Sequence, residues 1–343
     1  MNKSSGGRIA IVVPVGPIHE RVKRCLRSCR DLDDDNYVTL LVTDRAATGD
    51  IYGARNIVTN SPVMTGPAVK RDAAIAAYPE ADFYAFLDDD AYVDKKWLAR
   101  LRALIAENEG VSAFGGPGLM PDDQTISEQL SAAVMESVLG SGGIRYRFVK
   151  MRARFCEDFP AYNLAISAEC LRRIGGWGSS LYGGEDSLVC AKIIQSGGSI
   201  LYDPSLYVRH YRRSIVPNHT WQVFNIGRSR ACFIREGDPY SRRAIYFMPL
   251  LLSLATFVVA AACVYYAPLR GPGLVLFVLT WLSIAAFGHK GPIDFRVRLL
   301  LPLGIFLQQA SYAYGFVLGL VTGRRNLVAG ASPVVARQGG VDR

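Results

Sequence analysis

The chain has 343 residues, of which 50% are apolar, and it carries a formal net charge of +9. This length suffices for one large globular domain and a further segment. The positive charge predicts an anionic partner, which could be a nucleic acid, an anionic lipid or a phosphorylated substrate. The basic residues flank long apolar runs, as juxtamembrane residues do, and this placement argues against nucleic acid as a partner. Arg235, Arg242 and Arg243 precede the first run, and His289, Lys290, Arg296 and Arg298 lie between later ones.

The cysteines and the N-terminus both indicate a reducing compartment. The seven cysteines are scattered, and Cys25 and Cys29 form the one close pair, without a second pair or a histidine to complete a zinc site. Residues Met1 to Gly7 are polar and small, and no apolar stretch of signal-peptide length precedes Ile9. We therefore expect the N-terminal domain to stay in the cytoplasm.

The first 195 residues alternate between short β-branched runs and segments with helical periodicity. The strands are expected at Arg8 to Val13, Tyr37 to Thr43, Asp82 to Leu87, Val111 to Gly115 and Tyr162 to Ser167. The helices are expected at Ile18 to Cys29, Pro67 to Ala77, Lys95 to Glu107, Ala168 to Ile174 and Glu185 to Gln195. Between Pro121 and Phe155 the pattern weakens, and we expect a helix followed by a mobile loop around Ser141 to Gly143. The pattern predicts an α/β fold with a mostly parallel sheet covered by helices.

Three apolar segments follow, namely Ile245 to Ala267, Leu274 to Phe287 and Leu299 to Val321. The first and third reach the ~20 residues that cross a bilayer, and the second is shorter. Basic residues usually lie on the cytoplasmic side of a membrane, and three spans would put one basic cluster on the outer side. A second segment that is re-entrant or interfacial would remove this conflict. The clusters are His289 to Arg298 and Arg324 with Arg325. We expect a cytosolic domain over residues 1–236, two or three transmembrane helices over 237–328 and a flexible tail over 329–343.

Polar residues follow several of the predicted strands. Because ligands of an open parallel sheet bind beyond the carboxyl ends of its strands, these positions are candidates for a site. They are Pro14 and Val15, then Asp44, then Asp88, Asp89 and Asp90. Three adjacent carboxylates repel one another unless a cation lies among them, and oxygen ligands favour Mg²⁺ or Mn²⁺. The alternative is a solvated acidic turn, the interpretation we give to the acidic run Asp31 to Asp35, which leads into a strand.

Further candidates occur later in the chain. Glu185 and Asp186 open a helix after Gly183 and Gly184, so they are either helix-capping acids or a catalytic base. His210 is either a structural or exposed histidine or a further metal ligand. Two basic pairs could neutralise a diphosphate or form a solvated helix face. These pairs are Lys70 with Arg71 and Arg228 with Arg230.

These features occur in an order that resembles the family-2 glycosyltransferases of the GT-A fold, over about residues 8 to 235. The motifs that carry the resemblance are Ile9 to Pro14, Asp44, Lys70-Arg71-Asp72-Ala73-Ala74, Phe86-Leu87-Asp88-Asp89-Asp90, Asn163-Leu164-Ala165-Ile166 with Gly175-Gly176-Trp177, and Gly184-Glu185-Asp186. The resemblance implies a Rossmann-like nucleotide-sugar-binding domain. The C-terminal segment Gln308-Gln309-Ala310-Ser311-Tyr312-Ala313-Tyr314-Gly315 is similar to that of bacterial exopolysaccharide enzymes of the succinoglycan type.

The resemblance also implies roles for individual residues. It implies that Asp44 and Arg71 contact the nucleobase, and that Asp88 and Asp90 hold the ribose and a metal-bound diphosphate. Asp186, beside Glu185, would be the catalytic base, and His210 would complete the metal site. The remaining positions expected to bind substrate are Pro14, Lys70, Asn163, Arg228 and Arg230.

Two departures from the family pattern affect the expected activity. Arg45-Ala46-Ala47-Thr48 stands where the family often has a Gly-Ser pair, which puts the base-contact loop in doubt. The Gln-x-x-Arg-Trp element of processive synthases is absent in that form, because Gln222 is followed by Val223 to Arg228. Transfer of a single sugar is therefore favoured over polymerisation.

The expected function is inverting, metal-dependent transfer of one sugar from a nucleotide-sugar, by preference a UDP-sugar. The expected acceptor is a lipid-linked or polysaccharide glycan at the inner (cytoplasmic) membrane, with the catalytic domain facing the cytoplasm and membrane lipids as further partners. Two rivals remain. One is a membrane scaffold or export component without turnover. The other is a nucleotidyltransferase, which would need a Gly-rich phosphate loop where Pro14-Val15-Gly16-Pro17 stands.

Overall fold

The computed structural model describes residues 7–178, 184–235, 237 and 240–323, which divide into two compact units. The first unit comprises the described residues up to Pro121 together with Tyr146–Tyr211, and the second comprises Asp122–Arg145 and the described residues from Arg212 onward. The expectations for Gly183, for Arg324 and Arg325 and for the tail over 329–343 lie outside the described residues.

The first unit is built on two β-sheets. Its strands are β1 (Ile9–Pro14), β2 (Tyr37–Thr43), β3 (Arg55–Val58), β4 (Phe83–Leu87), β5 (Ala91–Tyr92), β6 (Ala113–Gly115), β7 (Gly118–Leu119), β8 (Arg154–Cys156), β9 (Asn163–Ser167), β10 (Ile200–Tyr202) and β11 (Val208–His210). Eight of them form the main sheet in the order β3-β2-β1-β4-β9-β6-β10-β8, and β5-β11-β7 form a small second sheet.

The main sheet is mixed. Strands β3, β2, β1 and β4 are parallel, as are β6 and β10, whereas β9 runs antiparallel to both β4 and β6, and β8 antiparallel to β10. Six of the eight strands thus run in one direction, as expected of a mostly parallel sheet, and β9 and β8 run in the opposite direction. The direction of a strand depends on where the preceding connection returns to the sheet. The hydrophobic pattern within a strand is the same for either direction, so it does not predict the direction.

Helices cover the sheet, and local signals define several of their ends. The helices of this unit are α1 (Glu20–Arg30), α2 (Pro67–Ala77), α3 (Trp97–Glu107), α6 (Ala168–Ile174) and α7 (Glu185–Gln195), and α4 (Ile126–Glu136) and α5 (Val138–Ser141) belong to the second unit. The expected bounds of α2, α6 and α7 are confirmed. Pro67 occupies the first turn of α2, and Gly175, at φ 73°, ends α6 in a left-handed conformation.

Two expectations for loops are corrected. Thr125 and Glu128 form a capping box that starts α4, and Ser137 then caps α5, after which Gly142–Arg147 continues as a 3-10 helix. Helical turns therefore occupy the place of the expected mobile loop. The acidic run before β2 is not wholly solvated either, because the Asp34 carboxylate accepts a 2.6 Å hydrogen bond from Arg102.

The second unit contains the apolar C-terminal helices. After α8 (Thr220–Arg235) come α9 (Met248–Tyr265), α10 (Arg270–Phe287) and α11 (Phe295–Thr322). By length and composition, three stretches could each cross a membrane: Met248–Tyr265, Ala267–Phe287 and Phe295–Thr322. The second apolar segment is longer than expected. Pro272 lies in the first turn of α10, where a missing N–H costs little, so the helix includes it.

A series of polar contacts connects four segments of the second unit: α4, the residues before α8, α11 and α5. Ser131 on α4 lies 2.9 Å from Nδ1 of His219, whose Nε2 lies 3.0 Å from the side-chain oxygen of Gln308 on α11. The Gln308 amide in turn donates to the carbonyl of Gly140 at 2.6 Å. Burial lowers the pKa of His219 to about 4, so its ring is neutral at pH 7.

Candidate active site

The ends of three parallel strands and the start of β9 meet at one edge of the main sheet. Pro14 is paired with Val42, the last residue but one of β2, and Leu87 at the end of β4 is paired with Asn163. The residues that follow these strands, Asp44 and Asp88, therefore lie at the same edge. This confirms the arrangement on which the strand-end argument depends.

Three potential metal ligands converge next to this edge. Asp88, Asp90 and His210 each offer a ligand atom, and these atoms all lie within 4.8 Å of one another. All three residues are partly buried. Carboxylate oxygens are the ligands that Mg²⁺ and Mn²⁺ favour, so Asp88 and Asp90 fit the expected divalent ion.

His210 reaches Asp90 through the small sheet, although the two residues are 120 positions apart. Strand β11 pairs antiparallel with β5, placing His210 opposite Ala91, and His210 Nε2 lies 2.9 Å from Oδ1 of Asp90. The imidazole stacks on the ring of Tyr162 with centroids 4.6 Å apart. The hydrogen bond and the stacking together fix the orientation of the ring.

Buried Lys70 forms an ion pair with partly buried Asp44. The Lys70 ammonium lies 2.9 Å from the Asp44 carboxylate and donates to the carbonyl of Val15 at 2.7 Å. Burial would raise the pKa of Asp44, but hydrogen bonds from Thr65, Lys70 and Thr59 outweigh it, and the pKa is lowered. Asp44 is thus ionised at neutral pH, and Lys70 balances its negative charge.

Arg71 connects the two acidic groups of the site. The residue is only 2% exposed, and its guanidinium lies 3.1 Å from Asp88 and 3.6 Å from Glu185 and stacks on the ring of Trp177 at 4.3 Å. The neighbouring Asp72 accepts hydrogen bonds from the backbone N–H groups of Trp177 and Gly178. The Trp177 segment and α2 therefore hold Arg71 in one orientation.

Asp186 has an unusual protonation equilibrium. Burial, followed by the nearby carboxylates of Glu185 and Asp158, raises its pKa to about 7. The backbone N–H of Ser187 donates to Asp186 at 3.0 Å, and the Ser187 hydroxyl donates to Asp158 at 3.1 Å. A carboxyl group that titrates near neutral pH is suited to general-base catalysis.

The other predicted substrate-binding residues include Asn163, Arg228 and Arg230. The Asn163 side chain is buried and its amide donates to the carbonyls of Gly116 and Leu206, so its expected contact with substrate stays a prediction. Arg228 and Arg230 lie on α8 in the second unit. There Arg230 donates to Ser241 at 3.1 Å and stacks on Tyr246 at 4.2 Å.

The structure adds residues that the sequence did not single out. Asp158 contributes to the raised pKa of Asp186, and Arg147 lies 3.5 Å from the Asp158 carboxylate. Tyr162 is the platform for His210. Asp158 does not follow a predicted strand, and Tyr162 begins one, so neither position carries a local signal of a role in a site.

No protein-family model matches the sequence. A pre-mycofactocin glycosyltransferase of Mycobacterium tuberculosis is 26% identical over 221 residues, and this match covers 60% of the chain but only 43% of the relative. The O-antigen chain rhamnosyltransferase WbaN of Salmonella anatum is 22% identical over 202 residues, covering 56% of the chain and 62% of the relative. The chain thus spans about half the length of the curated relatives that it matches.

One solved structure matches almost the whole fold. The mannosyltransferase PcManGT from Pyrobaculum calidifontis, in complex with GDP-Man and Mn²⁺, superposes with a TM-score of 0.59. The superposition covers 93% of this chain and 88% of the mannosyltransferase, at 17% sequence identity. The chain has a GT-A-like fold. The predicted α/β fold class with C-terminal apolar helices is confirmed, and the chain is similar to glycosyltransferases.

Proposed function

We propose that this GT-A-like protein is a glycosyltransferase that moves a single sugar from a nucleoside-diphosphate sugar to an acceptor at the membrane. The observation that carries the proposal is the position of Arg71. One guanidinium touches Asp88, a member of the metal-ligand cluster, and Glu185, the neighbour of the candidate base Asp186. The proposed metal site and the proposed general base therefore belong to one network of charged side chains.

The divalent ion would be held by Asp88, Asp90 and His210. The ion, when bound, neutralises negative charge on the departing nucleoside diphosphate. That the mannosyltransferase of similar fold is in complex with Mn²⁺ and GDP-Man supports Mg²⁺ or Mn²⁺ here. The same complex supports a GDP-sugar as a candidate donor in addition to the expected UDP-sugar.

The chain's own residues perform the proton transfer. Asp186, unprotonated, accepts the proton of the acceptor hydroxyl while that oxygen forms a bond to the anomeric carbon, and the bond from this carbon to the diphosphate oxygen breaks. One displacement of this kind inverts the configuration. Arg71 stays fixed between Asp88 and Glu185 and offsets part of the negative charge around the base.

The acceptor is proposed to be a lipid-linked or polysaccharide glycan at the cytoplasmic face of the inner membrane. The apolar helices of the second unit support membrane attachment of the enzyme. Confinement to the bilayer surface would raise the effective concentration of an acceptor that is held there too. Transfer of one sugar is favoured over polymerisation, because the Gln-x-x-Arg-Trp element is absent in that form.

The test is release of nucleotide from UDP-, GDP- and dTDP-sugars by the full-length protein in membrane extract, with Mn²⁺ or Mg²⁺ and with EDTA. We expect one nucleotide class to be released in a metal-dependent manner. In the variants Asp90→Asn and His210→Ala, the metal concentration needed for half-maximal release should rise by tenfold or more. Nucleotide binding without release from any donor, in extract that contains lipid-linked acceptors, would favour a scaffold without turnover.

A further inference from the structure

Helix α11 has two faces that differ along its whole length. One face is buried and includes Val297, Leu301, Ile305, Gln308, Tyr312 and Phe316. The other is apolar and exposed, and it includes Phe295, Leu299, Leu303, Phe306, Val317 and Val321. In its most apolar stretch 44% of residues are buried, against 0% and 6% in the other two candidate spans. Helix α11 is therefore one-sided, whereas α9 has no buried residue and α10 has Ala285 alone.

Charged helices cover the buried face of α11. Its first half packs against α4, where a side chain on Gly304 would meet Val134 at 2.7 Å. Its second half packs against α8, so closely that a Cβ on Gly315 would collide with the carbonyl oxygen of Phe224. Glu128 and Glu136 lie on α4, and Arg228, Arg230 and Arg235 on α8. Because charged side chains are costly in hydrocarbon, this side of α11 faces away from the bilayer core.

The contacts of α11 with α9 and α10 show how it lies relative to them. Phe247, just before α9, packs on Phe316 with ring centroids 5.3 Å apart. Ile284, near the end of α10, packs in the cluster that contains Leu301. Leu301 and Phe316 are separated by about 22 Å along a helix. Helices α9 and α10 are joined at their other ends by a short connection at Ala267–Leu269. Helix α11 thus lies across the open end of this hairpin.

A third membrane-crossing helix would make different contacts. If α11 crossed the bilayer antiparallel to α10, its second half would lie beside the start of α10, near Arg270. Instead that half contacts Phe247 and Leu250, at the beginning of α9. The beginning of α9 and the end of α10 are on the same side of a two-helix hairpin, so both ends of α11 are on that side.

We infer that α11 lies in the plane of the membrane surface with its apolar face in lipid, and that only α9 and α10 cross the bilayer. Exposed Lys290 and Arg296, beside the start of α11, match the charge of anionic headgroups. The inference rests on the proposed membrane attachment. With two spans, the segments before α9 and after α10 share one side, which removes the charge conflict that three spans would create.

The test measures the depth of spin labels in the full-length protein in vesicles that contain anionic lipid. Cys156→Ser and Cys263→Ala remove the two partly exposed thiols, while the other five cysteines are buried. Single cysteines then replace Leu299, Phe306 and Val317 on α11, with Leu252 and Val264 on α9 as controls. Leu299 and Val317 are about 27 Å apart along the helix axis. We expect equal, shallow depths for the three α11 labels and different depths for the two α9 labels.

Three other outcomes would overturn the inference. Depths that change steadily along α11 would show that it crosses the bilayer. Labels on α11 that are shielded from lipid and couple with labels of another molecule would show that a second copy covers this face. If the α9 labels also lie outside lipid, the proposed membrane attachment itself fails.

A second experiment uses epitope tags at the two termini. With two spans, both tags should be accessible from the same side of sealed vesicles, and access from opposite sides would contradict two spans.

Discussion

Asp186 is the residue on which the proposed chemistry depends most directly. Replacing it with Asn keeps the shape of the side chain and removes the group that accepts the proton. We expect Asp186→Asn to reduce the turnover number by about 10²–10⁴-fold, the usual contribution of a general base, with little change in nucleotide binding. Nucleotide release and calorimetric binding measure the two effects. Glu169→Gln, which changes an exposed acid on α6, is the matched control and should leave both unchanged.

The activity should also depend on pH through the same residue. Because the pKa of Asp186 is raised to about 7, chiefly by burial and then by Glu185 and Asp158, the base is protonated below that pH. The rate should therefore fall as the pH drops through about 7 and level off above it. The variant Asp158→Asn loses one repelling charge, so the pH at which the rate falls should be lower than in the unmodified protein. An unchanged pH profile in a variant that stays folded would contradict the role of Asp158 in raising the pKa of Asp186.

Some of these residues could be predicted from the sequence and others could not. Asp88 and Asp90 directly follow a buried strand, and Glu185 and Asp186 begin a helix, so local patterns indicate them. His210 was a weaker candidate, because its partner Asp90 is brought to it by the pairing of β5 with β11. Asp158 carried no such signal. The resemblance assigns Asp44 and Arg71 to the nucleobase. The structure shows Asp44 paired with Lys70, and Arg71 next to Asp88 and Glu185. Their contact with a nucleobase stays a prediction.

At the scale of elements, glycines determine how closely α8 and α11 pack. A Cβ on Gly315 would collide with the Phe224 carbonyl, and one on Gly319 would approach the Arg228 carbonyl at 2.5 Å. Gly271 on α10 is also helical, but nothing lies within 4 Å of its Cβ position. These glycines therefore offer a comparison in which the substitution is the same and only the packing differs.

We expect Gly315→Ala to destabilise the second unit by about 1–3 kcal/mol, because the helices must move apart to admit the methyl group. Gly271→Ala should be neutral or slightly stabilising, since alanine is the better helix former. Thermal unfolding in detergent, followed by circular dichroism, compares the two variants. Equal midpoints for both would show that the close contact between α8 and α11 does not contribute to stability.

Element type was easier to predict than element direction or length. Pro67, Gly175 and the Glu185-Asp186 pair define helix ends locally, and the predicted bounds of those helices are confirmed. The strands β3, β5, β7, β8 and β10, of two to four residues, were missed, because so short a run shows no periodicity. The antiparallel direction of β9 depends on long-range pairing with β4 and β6.

At the scale of the whole molecule, attachment to the membrane should be integral. Burial of the apolar surface of α9 and α10 in lipid does not weaken with ionic strength, whereas attraction of basic residues to headgroups is screened by salt. We expect the full-length protein to remain in the membrane pellet after washing with concentrated salt and with alkaline carbonate, and to dissolve in detergent. Release by salt alone would indicate a peripheral protein held by its positive charge.

The sequence by itself determined the α/β class, the acidic positions at the strand end and the helix start, and the presence of long apolar helices. These are properties of neighbouring residues, because periodicity, capping and hydrophobic length act over a few turns of chain. Only the tertiary structure decided that His210 meets Asp90, that Arg71 bridges Asp88 and Glu185, and that one face of α11 is buried under α4 and α8. Those contacts join residues distant in sequence, whose approach depends on sheet pairing and helix packing.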